Sequence, residues 1–252
     1  MSYGLQFGTF SFPKGFHVAS VDMARSVPAA KLPRADGARV IKGYLEAKKI
    51  TVRGGVYHAA ISTGGAASVR SQLDTIKGAL AQGPAAFYTD SDRYYRNCQS
   101  ASYSDTFDPT EFNRIVTVQF ELISGDPFSY EVANQNAGGA ITASGQTQIA
   151  TNNGNAYAQP QISVTMGTTG SIAATITNTT TGEAFTLGGA VTAGDVIIVD
   201  SLQEAVTRSG VDVTSLFDGQ FPRLLPGANT FQVQYTSGTV TNLAIAFNQR
   251  WY

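Results

Sequence analysis

Residues able to do chemistry are few in this chain. His17 and His58 fit neither HExxH nor HxH spacing, and Cys98 is the one cysteine. The ligand sets of a zinc site and a base beside a nucleophile are therefore both missing. Asp90-Ser91-Asp92, with Asp105 and Asp108 further on, gathers carboxylates as a calcium loop does. It lacks the glycine at the sixth position and the closing glutamate of an EF-hand. The stretch reads instead as a turn capped by its carboxylates, with Arg93 pairing nearby. Gly54-Gly55 and Gly64-Gly65 lie in no GxxxxGKS or GxGxxG frame, so neither is a phosphate cradle. The first pair, between two β-prone runs, is expected to be a hairpin turn. Asn178-Thr179-Thr180 spells a glycosylation sequon that carries no weight without a secretion signal. Tyr88, Tyr94, Tyr95 and Tyr103 interleave with Arg93 and Arg96, a mixture suited to stacking on bases or to an interface hot spot. The interface is the better reading, because residues 1–130 hold 14 Lys and Arg against 11 Asp and Glu, too small a surplus for a basic groove. The expectation is a non-enzyme with no catalytic, cofactor-binding or metal site.

The elements follow from periodicity. Val69, Leu73, Ile76 and Leu80 fall on one face of a helix that Gly83-Pro84 stops, with Gly78 inside it costing about 1 kcal/mol relative to alanine. Ile115 to Leu122 alternates as a strand with Val116, Val118, Phe120 and Leu122 on one face. Phe7, Phe10 and Phe12 do not share one parity, which points to a bulge or a short strand. Val27 to Gly37 carries two prolines and a glycine and reads as a surface loop, not a central strand or helix. After Gly125-Asp126-Pro127 sustained periodicity fades, and the domain boundary is placed there, giving 1–135 and 136–252. Thr147 to Ala150 is a candidate first strand of the second domain. Val196 to Val199 is β-branched throughout and bounded by Gly194-Asp195 and Asp200-Ser201, as a buried strand should be. Thr181-Gly182, Gly188-Gly189 and Gly227 are expected to serve strand reversals. Thr230 to Tyr235 and Leu243 to Tyr252 read as closing strands. No internal repeat is found.

The 252 residues suit two domains large enough for their own cores. Net charge is −1, and charged residues make up 14%, which gives no global case for nucleic-acid or membrane binding. Residues 131–252 hold only 3 Lys and Arg against 7 Asp and Glu. One cysteine excludes an internal disulfide and fits a reducing cytoplasm. MSYGLQFGTF has no signal-peptide pattern, and no apolar run approaches a membrane span.

Four segments, NNGNAYAQPQISV, NTTTGEAFTL, AGDVIIVDSLQEAV and LLPGANTFQV, resemble the galectin-like C-terminal half of siphophage distal tail proteins, the Dit family. ITVRGGVYHAAI, AASVRSQLDTIKGALAQ, FYTDSDRYYR and VTVQFELISGDPF follow the order of that family's N-terminal domain, where Asp90, Asp92 and Arg93 match a structural turn. The resemblance implies a mainly β protein with two β-sandwich domains, the first carrying one packed helix and the second galectin-like. It implies a homohexameric ring, single or stacked in pairs, at the distal end of a long noncontractile tail. Such a ring joins the tail tube and tape measure proteins to the tail hub protein and to receptor-binding or side-fibre proteins. DNA crosses its channel only in transit, without membrane insertion, and the chain is made in the bacterial host cytoplasm. The resemblance makes Val27 to Arg39 an arm reaching the adjacent subunit, with hairpin and strand edges near Lys48 to Val56 as further contacts.

Two other classes compete with this reading. A carbohydrate-binding module or adsorption protein fits a galectin-like sandwich. However, residues 131–252 contain no histidine, no lectin-type His-Asn-Arg cluster is readable, and the one tryptophan is Trp251. A cell-wall hydrolase would need the His, Cys or paired Glu frame that is lacking.

Overall fold

The structure, a computed structural model, describes residues 4–26, 29–31, 38–40, 44–57, 65–107 and 115–252. The chain divides into two compact units, Met1–Tyr130 and Glu131–Tyr252.

The first unit contains β1 (Gln6–Phe7), β2 (Phe10–Ser11), β3 (His17–Ser26), β4 (Ala29–Lys31), β5 (Ala38–Val40), β6 (Tyr44–Tyr57), α1 (Gly65–Leu80), β7 (Ala85–Tyr88), β8 (Arg93–Phe107) and β9 (Ile115–Ser124), with β10 (Ser129–Glu131) at the boundary. An antiparallel sheet runs in the order β2-β1-β7-β8-β9-β6-β3, and β4 and β5 form a hairpin of their own. The amphipathic patterns explain the core. Val69, Leu73, Ile76 and Leu80 on α1 pack against Ile50, Val52 and Val56 of β6 and Val116, Val118, Phe120 and Leu122 of β9. Each such side chain taken from water contributes about 2 kcal/mol. The three N-terminal phenylalanines reconcile their parity through two strands of two residues, joined at Gly8 with φ 58°. Phe12 stacks on Phe120 at 5.1 Å between ring centroids.

One expectation fails instructively. Gly54-Gly55 is no hairpin turn but lies inside the 14-residue β6, opposite Val118 and Thr117 of β9. The reason is steric: a Cβ on Gly54 would sit 2.4 Å from the Phe16 ring. The glycine makes room for an aromatic side chain.

The second unit contains β11 (Gln135–Ala140), β12 (Thr147–Asn152), β13 (Gln161–Met166), β14 (Gly170–Asn178), β15 (Ala184–Val191), β16 (Val196–Asp200), β17 (Ala205–Arg208), β18 (Val211–Asp212), β19 (Phe217–Gly219), β20 (Gly227–Ser237), β21 (Val240–Phe247) and β22 (Arg250–Trp251). Two antiparallel sheets, β11-β21-β13-β16-β17-β18 and β12-β20-β14-β15-β19, form a sandwich. Its core is built from inward residues of both, among them Ile162, Val164, Ile197, Val199, Leu243 and Ile245 against Ile172, Ile176, Phe185, Leu187, Phe231 and Val233. β12 is not the first strand here; β11 precedes it. The small residues of β11 hide its periodicity, and pairing along its whole length with β21 holds it. Thr181-Gly182 does reverse the chain, with Gly182 at φ 80°. Gly188-Gly189, by contrast, lies within β15, where Leu216 comes within 2.6 Å of the position a Cβ on Gly189 would take.

Two glycines should respond in opposite ways. Gly54→Ala forces a methyl into the Phe16 ring and should destabilise the first unit by about 1–3 kcal/mol. Gly78→Ala faces open space on the exposed side of α1 and should stabilise it by about 1 kcal/mol. Urea unfolding of both variants checks the signs.

Candidate functional site

Every backbone amide and carbonyl in a strand needs a partner, so the ends of a sheet show where another chain can add. In the first unit one end is the two-residue β2, and the other is the ten-residue β3. Val21 stands opposite Ile50 and Met23 opposite Lys48, so both lie on the core side of the sheet. Yet Val21 is 40% and Met23 38% exposed, whereas Ile50 and Lys48 are buried. The core thus stops short of this edge, leaving two apolar side chains beside a row of backbone groups. Register shifts at Val18/Ser20 and Met23/Arg25 bend the strand.

The arm expected at Val27 to Arg39 continues from this edge strand. Of it, β4 and β5 are described and pair as Ala29 with Val40 and Lys31 with Ala38; the rest lies outside the described residues. Lys48 to Val56 needs correcting. From Lys48 to Arg53 it forms no edge, because β3 and β9 occupy both sides of β6, whereas Gly54 to Val56 pair with β9 alone. Over the doubly paired span its contribution to a surface is limited to outward side chains such as Lys49, which pairs with Glu121 at 2.8 Å, and Arg53, which donates to Gln119 at 2.9 Å.

The tyrosine-arginine group divides by strand parity. Tyr88 and Tyr94 face one way and stack at 5.2 Å, with Tyr130 5.7 Å beyond. Arg96 donates from Nε and Nη2 to the Tyr94 hydroxyl and lies 3.9 Å from the Tyr130 ring centroid. Tyr95 faces the core, where Lys48 Nζ stands 5.3 Å from its ring centroid. Burial lowers the Lys48 pKa, opposed by the charge of Asp126, and raises that of Tyr95. Tyr103 lies near α1, 5.0 Å from Lys77 Nζ, its phenol pushed up to about 12 by burial. These six residues do not make one patch.

The candidate turn at Asp90 forms as expected: its Oδ1 accepts from the amides of Asp92 at 2.7 Å and Arg93 at 2.8 Å. Asp105 is paired with Lys77 on α1, and Asp108 lies outside the described residues. His17 is exposed at the start of β3, and His58 is outside the described residues. Cys98 is fully buried, and burial pushes its thiol up to about 12. Among the described residues no group of three or more His, Cys, Asp or Glu is placed to hold a metal, and no helix is long and apolar enough to cross a membrane.

Sequence reasoning missed three buried asparagines in the second unit, one in each of three quoted motifs. Asn152 Nδ2 donates to the Ala156 and Leu224 carbonyls, and its Oδ1 accepts from Gly154 N. Asn178 Nδ2 donates to Arg223 O, and its Oδ1 accepts from Thr180 N. Asn229 Nδ2 donates to Leu225 O and Gly227 O, and its Oδ1 accepts from Leu225 N. All three converge on the segment from Arg223 to Gly227. The signal was an asparagine recurring beside each turn; its long-range partner was not readable.

Residues 153–251 match the family described as siphovirus-type tail component, C-terminal domain. Across the whole length the fold is similar to that of the Dit protein of phage SPP1, described as a paradigm of the hub adsorption apparatus in phages infecting Gram-positive bacteria. The two are 14% identical, 99% of each chain is covered, and the TM-score is 0.77. Structures of the phage P2 baseplate in its activated conformation, with calcium and with strontium, align at TM-scores of 0.48 and 0.46. Both are 7% identical, over 96% and 92% of this chain and 90% of theirs. No curated protein sequence matches.

Removing the Asn229 amide by Asn229→Ala strands the Leu225 amide and two carbonyls, so urea unfolding should show a loss of about 3 kcal/mol. Cys98 should be silent to Ellman's reagent in the native protein at pH 8 and react in full only on unfolding.

Proposed function

We propose that this tail protein of the siphophage Dit family, to which its residues 153–251 tie it, forms a closed homohexameric ring at the distal end of a long noncontractile phage tail. The observation that carries the reading is that family match, supported by a fold shared with SPP1 Dit over 99% of both chains. The first unit has what ring closure requires: an edge strand with exposed Val21 and Met23, continued by the β4/β5 hairpin. A surface that pairs with a different surface of the next copy repeats by rotation, and when the rotation closes it leaves a channel.

In this reading the first units build the ring, meeting the tail tube and tape measure proteins on one side and the tail hub protein on the other. DNA passes through the channel in transit. The second units face outward, where receptor-binding or side-fibre proteins dock. The protein works as a structural adaptor and needs no catalytic group; it is made in the bacterial host cytoplasm and resides in the virion. Division of the chain at 135/136 into a ring domain and a docking domain is part of this proposal.

Light scattering with negative-stain imaging of the same peak tests it. Six copies of the 26.6 kDa chain give about 160 kDa with annular particles, and two stacked rings about 320 kDa. Deleting Val27 to Gly37, or substituting Val21→Glu with Met23→Glu, should reduce the mass to that of a folded single chain. An intact ring in both variants would refute the assignment of this edge, and a 26.6 kDa species for the unaltered chain at micromolar concentration would refute autonomous ring formation.

A further inference from the structure

The stretch NNGNAYAQPQISV holds a reactive pair that plays no part in the ring. Asn153-Gly154 is the one asparagine of the chain that is followed by glycine. With no side chain on the second residue to stand in the way, its amide nitrogen can reach the asparagine side-chain carbonyl. Gly154 N then attacks Asn153 Cγ, a five-membered succinimide forms, and the Asn153 side-chain nitrogen leaves as ammonia. The proton that Gly154 N gives up to base is returned by solvent to the departing ammonia. Water opens the imide at either carbonyl, which leaves aspartate or isoaspartate and one added negative charge.

The fold demands the glycine and restrains its nitrogen. Gly154 is buried in the loop between β12 and β13, where a Cβ would sit 2.2 Å from the Arg250 carbonyl oxygen and 2.9 Å from the Arg250 amide nitrogen. No residue with a side chain fits there. The loop is tied to the backbone of β22 on either side of this contact. Ala156 N donates to Arg250 O at 3.1 Å, and Tyr252 N donates to Asn155 Oδ1 at 2.9 Å. Asn153 is exposed, and its side chain makes no hydrogen bond among the described residues, so the carbon under attack is free to turn. The attacking nitrogen is held. Gly154 N donates to Asn152 Oδ1 at 3.0 Å, and Asn152 is only 1% exposed. Asn152 Nδ2 is fixed in turn by the Ala156 carbonyl at 2.9 Å and the Leu224 carbonyl at 3.2 Å, so its Oδ1 cannot follow an amide that moves away.

We infer that Asn152 locks a latent succinimide site at Asn153-Gly154, and that chemical ageing of the second unit starts where this lock opens. Attack requires the Gly154 N–H to leave its acceptor and lose its proton. Leaving strands the buried Asn152 Oδ1, which thins the reactive population by about tenfold or more. The product is damaging, because isoaspartate at 153 adds one carbon to the backbone beside a glycine that has no room to shift against Arg250. A tail protein in an assembled particle is not replaced, so this lock sets how long the loop stays intact.

The inference holds for a single chain and does not rest on the ring. Its test is to incubate the full chain, native and unfolded in guanidinium chloride, at one mildly alkaline pH. Conversion of Asn153 is followed by peptide mass spectrometry, and isoaspartate by enzymatic methylation. The native chain should convert at least about tenfold more slowly than the unfolded one, with the Gly154 amide protected from hydrogen exchange. Asn152→Ala, shown folded by circular dichroism, should lose most of that protection. Asn155→Ala, which frees the Tyr252 amide but spares the Gly154 bond, should keep it. Equal rates in native and unfolded chains, an unprotected Gly154 amide, or full protection in folded Asn152→Ala overturns the idea. If Asn152→Ala does not fold, the first two comparisons decide it.

Discussion

The need of every buried backbone amide and carbonyl for a partner governs this molecule more than any charge or cofactor. In the second unit the sheets satisfy many of these groups, and buried asparagines satisfy several in the loops. Asn152, Asn178 and Asn229 are all but inaccessible to solvent, and each gives its amide to loop carbonyls, Asn178 to the Asn229 Oδ1 as well. That is how loops rich in glycine and proline can be ordered without disulfides. In the first unit β9 is paired on both sides, by β6 and β8, and the sheet stops at β3. The outward side of that strand is what a second chain could complete.

Aromatic packing fixes where that strand begins. Phe12 bridges to Phe120, Phe16 lies 5.4 Å from Phe12, and its ring occupies the space left by Gly54. The turn into β3 is thereby locked onto the middle of the sheet. Tyr94, Arg96 and Tyr130 make a similar fixed set further along. These contacts use aromatic area and planar cation stacking, which suits a chain with only 14% charged residues.

Much of the fold was legible because burial imposes periodicity. The four-residue helical face and the alternation at Val116 to Leu122 can be read from the chain, since a core on one side demands them. Glycine pairs misled, because a missing side chain serves a turn and a close approach equally well. Gly54 yields to Phe16 and Gly189 to Leu216, partners distant in sequence. β11 was invisible for the opposite reason: Asn136, Gly138 and Ala140 offer no apolar rhythm, and the strand exists by its pairing with β21.

The position of β21 in its sheet has a consequence for synthesis. It lies between β11 and β13, so Ala137 finds Ile245 and Ile162 finds the same residue only after more than eighty residues of intervening chain have been made. Until Val240 to Phe247 leaves the ribosome, both earlier strands expose a free side to solvent. Strands β1 to β3 and β6 to β9 of the first unit have by then all been made. Nascent chains are thus half folded and half sticky for as long as translation of the second unit lasts, and the speed of elongation there sets how much of the product a chaperone must shield.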